Sequence, residues 1–247
     1  SHSFSGVIHL ASSTLPGNSN DDPEFDVRTN VGDTIALLDL CVRYRVGKVV
    51  FLSSGGTVYG IPQYVPVDES HPTLPISSYG ITKLAIEKYL HLYHHLYGLP
   101  YVAIRAANPY GPRQIPLAEQ GAIGVFAYRL LLGQEIEIWG DGSVVRDYLH
   151  VRDLALLVAT ALRSQVSGVF NAGSGIGRSL REVIKALEDA LRKRAHVTYG
   201  PARVLDVPRI VLDSVLAART FGWLPQERFE DGLRETGQWL LREWIRS

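Results

Sequence analysis

A doubly wound parallel α/β sheet with a smaller α/β lobe behind it is the fold class this sequence predicts, on three observations. Short apolar, β-branched runs at Gly6–Leu10, Lys48–Leu52 and Tyr101–Ala106 each end abruptly in small or polar residues, which suits buried strands. Between them lie amphipathic helical patterns, Asn30 to Arg45 and Ser78 to Tyr97. Strand, helix and strand in that rhythm imply right-handed parallel crossovers, with ligands held at the carboxyl ends of the strands. After Arg113 the texture changes to mixed short helices and strands, which reads as the lobe.

Taken in order, Gly6 to Ser12 is a strand running into small residues, and Ser13 to Asp26 is a polar, Pro- and Gly-containing surface loop. The helix from Asn30 closes near Gly47, and Lys48 opens the central strand, which stops at Ser53-Ser54-Gly55-Gly56. Ser77 and Ser78 offer N-caps to the next helix, and Gly98 with Pro100 ends it. Beyond Arg113, helices are expected at Gly121–Leu132, Asp153–Arg163, Ser179–Arg194, Ser214–Phe221 and Gly232–Ile245, with strands at Glu135–Trp139 and Val169–Ala172.

Composition removes several function classes. The 247 residues carry 25 basic and 25 acidic side chains, with no polybasic or acidic tail, so neither nucleic acid nor an anionic membrane is expected as partner. No apolar run of about 18 residues occurs and no signal peptide is visible, so a cytoplasmic protein is the expectation. The lone Cys41 shares a helical face with Ile35, Leu38 and Val42 and reads as core.

The chemistry centres on Tyr79 and Lys83, four apart on one helix and so on one face. A phenol has a reference pKa of about 10, and making it a base near neutrality takes about 3 units, or about 4 kcal/mol. The neighbouring ammonium is expected to supply part of that lowering and a cationic nicotinamide ring more. Such a phenolate can take a hydroxyl proton while hydride leaves the same carbon.

Four segments in order, SSGGTVYG from Ser53, YGITK from Tyr79, NPYGPR from Asn108 and WGDGSVVRDYLHVRD from Trp139, give the chain a wider likeness. It resembles the extended short-chain dehydrogenase/reductase family from His9 to Trp223, most closely the sugar-nucleotide 4-epimerases typified by UDP-glucose 4-epimerase. That resemblance implies a Rossmann-like NAD-binding domain over residues 1–113 and a mainly substrate-binding lobe over 114–247, with about 145–165 returning to the sheet. It further implies a UDP-sugar substrate, 4-epimerisation by transient oxidation at C4, a homodimer and no metal. By the same resemblance Leu10, Ala11, Ser12, Asn30, Ser53, Tyr79, Lys83 and Ala106 hold the cofactor. Asn108, Gly121, Ala122, Ile123, Arg146, Arg203 and Asp206 hold the nucleotide sugar, and Ile210 stands where bulk limits the sugar's C2 substituent.

The match departs from the family in two places. The family's hydroxyl-bearing Ser or Thr aligns with Gly55, leaving Ser54 or Thr57 to supply the hydroxyl, with Thr57 slightly favoured. The glycine-rich loop of the first strand, and the acidic residue about 20 positions later, are not in the sequence. The likeness begins at what would be the fourth strand, so the sheet is expected to be N-terminally incomplete, lacking about 60 residues at about 30 per βα unit. Gly173-Ser174-Gly175-Ile176-Gly177 is no substitute, because a capping box of Ser179 and Glu182 explains that turn without a ligand. His91, His94 and His95 read as packing or surface residues. A 4,6-dehydratase needs an Asp-Glu pair where Gly56-Thr57 stands; a reductase using the same Tyr and Lys, or a truncated homologue that binds a nucleotide sugar without turning it over, remains an alternative.

Overall fold

The computed structural model describes residues 4–116, 121–202 and 207–245. The first half of the chain runs β1 (Val7–His9), α1 (Pro23–Asp26), a π-helical turn (Val27–Gly32), α2 (Asp33–Arg43), β2 (Val49–Ser54), α3 (Ser78–Tyr97), β3 (Tyr101–Ala106) and β4 (Asn108–Tyr110). The second half runs α4 (Ala122–Leu132), β5 (Glu135–Trp139), β6 (Val145–His150), α5 (Val151–Arg163), β7 (Gly168–Ala172), β8 (Gly177–Ser179) and α6 (Leu180–Leu191). It closes with β9 (His196–Gly200), β10 (Arg209–Ile210), α7 (Val215–Phe221), α8 (Phe229–Leu240) and a π-helical end, Leu241–Ile245.

The main sheet has the order β1-β2-β3-β7, all parallel. Alternation along β2 divides its side chains between two layers. Val49 and Phe51 pack with Leu38 and Cys41 of α2 and Ile86 and Leu90 of α3, whereas Val50 packs with Leu157 and Ala161 of α5. Helices on both faces of a parallel sheet are the doubly wound arrangement, and Cys41 is core as expected. A second group, β10-β6-β4 with β8 antiparallel to β6, lies beside it, and β5 pairs with β9. A separate apolar core joins α4, α6 and α8 through Leu130, Leu187 and Leu233. The return to the main sheet extends past 165, because β7 pairs with β3 from Val102↔Gly168 to Ala106↔Ala172.

Local chemistry sets most element ends. Ser77 caps α3 by accepting from the Gly80 amide, Gly98 closes it in the left-handed conformation, and the Ser179–Glu182 capping box opens α6. Two starts differ from expectation. Helix begins at Pro23 rather than Asn30, because Asp22 accepts from the Phe25 amide and Pro23 suits the first turn. The last helix starts at Phe229, ahead of Gly232. The strands β4, β6, β8 and β10 are two to six residues long and carry polar side chains, so no period marked them.

Helix α3 is pinned to the sheet by a buried ion pair. Arg105 of β3 binds Glu87 through Nε and Nη2, with Nη2 to Oε2 at 2.7 Å, and the Ser53 hydroxyl donates to Glu87 Oε1 at 2.5 Å. Arg105 Nη1 also donates to the Tyr59 hydroxyl, which donates to Asn171 Oδ1. Removing one member leaves the other charge desolvated and unpaired. Arg105→Met is therefore expected to lower the unfolding free energy in urea by about 3–5 kcal/mol, with Arg105→Met/Glu87→Leu recovering most of it; a loss under about 1 kcal/mol for the single variant would contradict the pair's role.

Candidate active site

The carboxyl end of β2 forms the floor. Ser54 starts a tight turn in which its carbonyl accepts from the Thr57 and Val58 amides. A side chain at Gly55 would meet Leu212 Cδ1 at 2.4 Å and the Arg105 carbonyl oxygen at 3.0 Å, so this position faces the interior and has no room for the hydroxyl the resemblance places there. One at Gly56 would stand 3.5 Å from Asn108 Oδ1 and 4.0 Å from Ser54 Oγ, ordinary contact distances, so these groups are neighbours at the turn. Thr57 Oγ1 is enclosed and lacks a hydrogen-bond partner.

Tyr79 and Lys83 meet as their spacing requires. The Lys83 ammonium lies 5.3 Å from the centre of the Tyr79 ring and 4.9 Å from that of Phe51, and it donates to the Leu52 carbonyl at 3.1 Å. Burial pulls Lys83 down to about 8, against the opposing pull of Asp26. Burial, helped by the Asp26 carboxylate, pushes Tyr79 up to about 12. The share of lowering expected from the ammonium therefore does not carry the phenol toward neutrality in the ligand-free chain. Desolvating a phenolate outweighs an ammonium that is itself desolvated.

Asp26 has no marked place in the sequence motifs, yet it is fully enclosed at 0 % exposure. Its carboxylate accepts from Thr14, Asn30, Ser78 and Thr82 and so joins the loop after β1 to the head of α3. Only an acid nine residues after Gly17 of the loop and four before Asn30 hinted at it.

The residues expected to hold the cofactor divide into two sets. Leu10, Ala11 and Ser12 are exposed at the carboxyl end of β1, and His9 beside them hydrogen-bonds Thr34 and packs against Phe51, 5.3 Å between rings. Burial, and then Lys83, lowers the His9 pKa. The side chains of Asn30, Ser53 and Ala106 are instead spent inside: Asn30 on Asp26 and the Ser13 amide, Ser53 on Glu87, Ala106 in the apolar core. Their side chains build the site from behind.

On the other side, Asn108 heads β4 and Gly121, at φ 98°, opens α4. The Gly124 amide is taken by Gln114 Oε1, leaving those of Ala122 and Ile123 at the helix's positive end; the Ile123 side chain is core. Arg146 is partly exposed and donates through Nη1 to the Val145 and Val207 carbonyls. Arg203 and Asp206 lie outside the described residues. Ile210 borders a small space with Gly56, Ala107, Asn108, Asp147 and Leu212. Asp147 accepts from the Ser174 and Gly175 amides at 2.8 and 3.1 Å, so the glycine run at 173–177 is closed by this chain's own carboxylate. That is why it cannot cradle a phosphate.

Residues 1–173 match the family described as the NAD dependent epimerase/dehydratase family. A putative UDP-glucose 4-epimerase of Methanocaldococcus jannaschii is 38% identical over 95% of this chain and 76% of its own length. The crystal structure of UDP-glucose 4-epimerase from Thermotoga maritima with UDP-glucose superposes with a TM-score of 0.94 at 36% identity, covering 96% of this chain and 77% of that one. The Thermus thermophilus UDP-glucose 4-epimerase complex with NAD gives 0.92 at 36% identity, covering 97% and 78%.

The lysine's depressed pKa has a stability signature. With about 8 in the fold against 10.5 ordinarily, the unfolded chain binds more protons between those values, so stability rises with pH there and is lost as pH falls through about 8. Lys83→Met should therefore be more stable than the parent, by up to about 3 kcal/mol near pH 7, with the gap in urea unfolding closing toward pH 10.5. A gap indifferent to pH would mean that the ammonium is not desolvated.

Proposed function

Because the chain belongs to the NAD dependent epimerase/dehydratase family, we propose that it catalyses 4-epimerisation of a UDP-hexose or UDP-N-acetylhexosamine by transient oxidation at C4, with NAD as cofactor. The observation that carries this reading is the Lys83 ammonium over the Tyr79 ring, bonded to the Leu52 carbonyl near the end of the strand that also carries Ser54. The residues fit the nicotinamide-ribose end of the cofactor. A buried ammonium with one hydrogen bond to Leu52 keeps donors for ribose hydroxyls, and Leu10 to Ser12 are exposed alongside. When bound, NAD supplies the acceptor for the C4 hydride and its return.

The chain's own groups do the rest. The Tyr79 oxygen takes the proton of the sugar's C4 hydroxyl and gives it back on either face. With the ligand-free phenol at about 12, the base form depends on added positive charge and on Lys83 staying protonated. Ser54 is the better hydroxyl partner for the sugar, since it is part-exposed with its Oγ near Asn108, whereas the hydroxyl of Thr57 is enclosed. Asn108, Arg146 and the first amides of α4 supply donors for the diphosphate; by the resemblance Arg203 joins them and Asp206 takes the nucleoside ribose. A homodimer is the assembly we favour. Ile81, Leu92 and Leu96 of α3, Leu40 of α2 and Tyr44 just past its end leave apolar side chains exposed on adjacent helices.

Incubation of the protein and NAD with UDP-galactose or UDP-N-acetylgalactosamine, followed by NMR, should yield the gluco epimers without net cofactor reduction. Tyr79→Phe should slow this by about 10²–10⁴-fold, and Ser54→Ala should cost far more than Thr57→Val. Stoichiometric cofactor reduction would point to a one-way dehydrogenase instead. Sedimentation should give a dimer that Leu92→Glu dissociates; a monomeric parent would refute the assembly.

A further inference from the structure

The Tyr79–Lys83 pair has a buried counter-charge that belongs to neither partner's helix. Asp26, at the end of α1, is fully enclosed, and its hydrogen-bond partners are all neutral: Thr14 Oγ1 at 2.5 Å and Asn30 Nδ2 at 2.7 Å on Oδ1, Ser78 Oγ at 2.6 Å and Thr82 Oγ1 at 3.4 Å on Oδ2. A buried carboxylate is normally paired with a cation. Among the described residues none touches it, and the cation that feels it is Lys83. Lys83 in turn is 5 % exposed and held by a carbonyl and two aromatic rings. The two buried charges thus interact without touching, Asp26 being held by neutral groups. Two of those, Ser78 and Thr82, flank Tyr79 and Lys83 on α3.

We propose that Asp26 is a positioning residue for the reaction: it ties the loop after β1 to the head of α3 and, as counter-charge, holds Lys83 as an ammonium. The second role rests on the epimerase reading only for its use in catalysis; the electrostatics stand on the fold. The same field opposes ionisation of Tyr79, so Asp26 sets both members of the pair. Other titratable groups around them are His9 on β1, which Lys83 depresses, and Glu87 one turn along α3, already tied to Arg105.

The test is titration of Lys83 by NMR of its ε-carbon in the ligand-free protein, assigned by Lys83→Met. Asp26→Asn preserves the size, and its hydroxyl partners can turn to accept. The Lys83 midpoint is expected to fall by about half a unit or more, and both limbs of the pH profile for epimerisation should move to lower pH. Ser78→Ala/Thr82→Val cuts the tethers and keeps the charge. It should lower stability and leave the Lys83 midpoint in place, and it decides alone should Asp26→Asn not fold. An unchanged midpoint in Asp26→Asn, or a fallen one in Ser78→Ala/Thr82→Val, overturns the counter-charge. Failure of the parent to convert any UDP-sugar would defeat the epimerase reading while leaving the titration result intact.

Discussion

Two buried carboxylates fasten helix α3, and the site exists because they do. Glu87 grips Arg105 and Ser53 across the sheet, and Asp26 grips Ser78 and Thr82 from the loop after β1. Each charge is expensive to bury, so the surrounding donors must be in place for the fold to form at all. The consequence is rigidity between these anchors, where Tyr79 and Lys83 stand. A reacting geometry tolerates little displacement, and apolar packing alone would let a helix slide more freely than these pairs do.

Close approach is the second constraint. The end of β2 turns so sharply that Gly55 is pressed against Leu212 and the β3 backbone, with no room for a side chain, while Gly56 beside it lies near Asn108 and Ser54. Asp147 performs a similar service further along, gathering the amides of Ser174, Gly175 and Leu212 so that the loop after β7 closes on protein rather than on ligand.

The electrostatic state of the ligand-free centre differs from its working state. Burial lifts the phenol and lowers the amine, so the pair rests with its proton on Tyr79. Reactivity then follows from what binds. Neither partner ionises uselessly in water, because positive charge arriving beside the ring is what tips the balance.

Periodicity and short motifs in the sequence determined the sheet order's parallel character, the Tyr-Lys face, the caps at Ser77, Gly98 and Ser179, and the core place of Cys41. Those depend on residues within a few positions of one another, or on one helix face, and so can be read along the chain. Tertiary structure decided that Asn30, Ser53 and Ala106 face inward, that Gly55 has no room for a hydroxyl, and that Asp26 and Asp147 are organising acids. It also decided the direction of the Tyr79 shift. These turn on burial and, for most, on partners far along the chain, such as Ser174 for Asp147, Thr82 for Asp26 and Leu212 for Gly55, and no local pattern encodes desolvation.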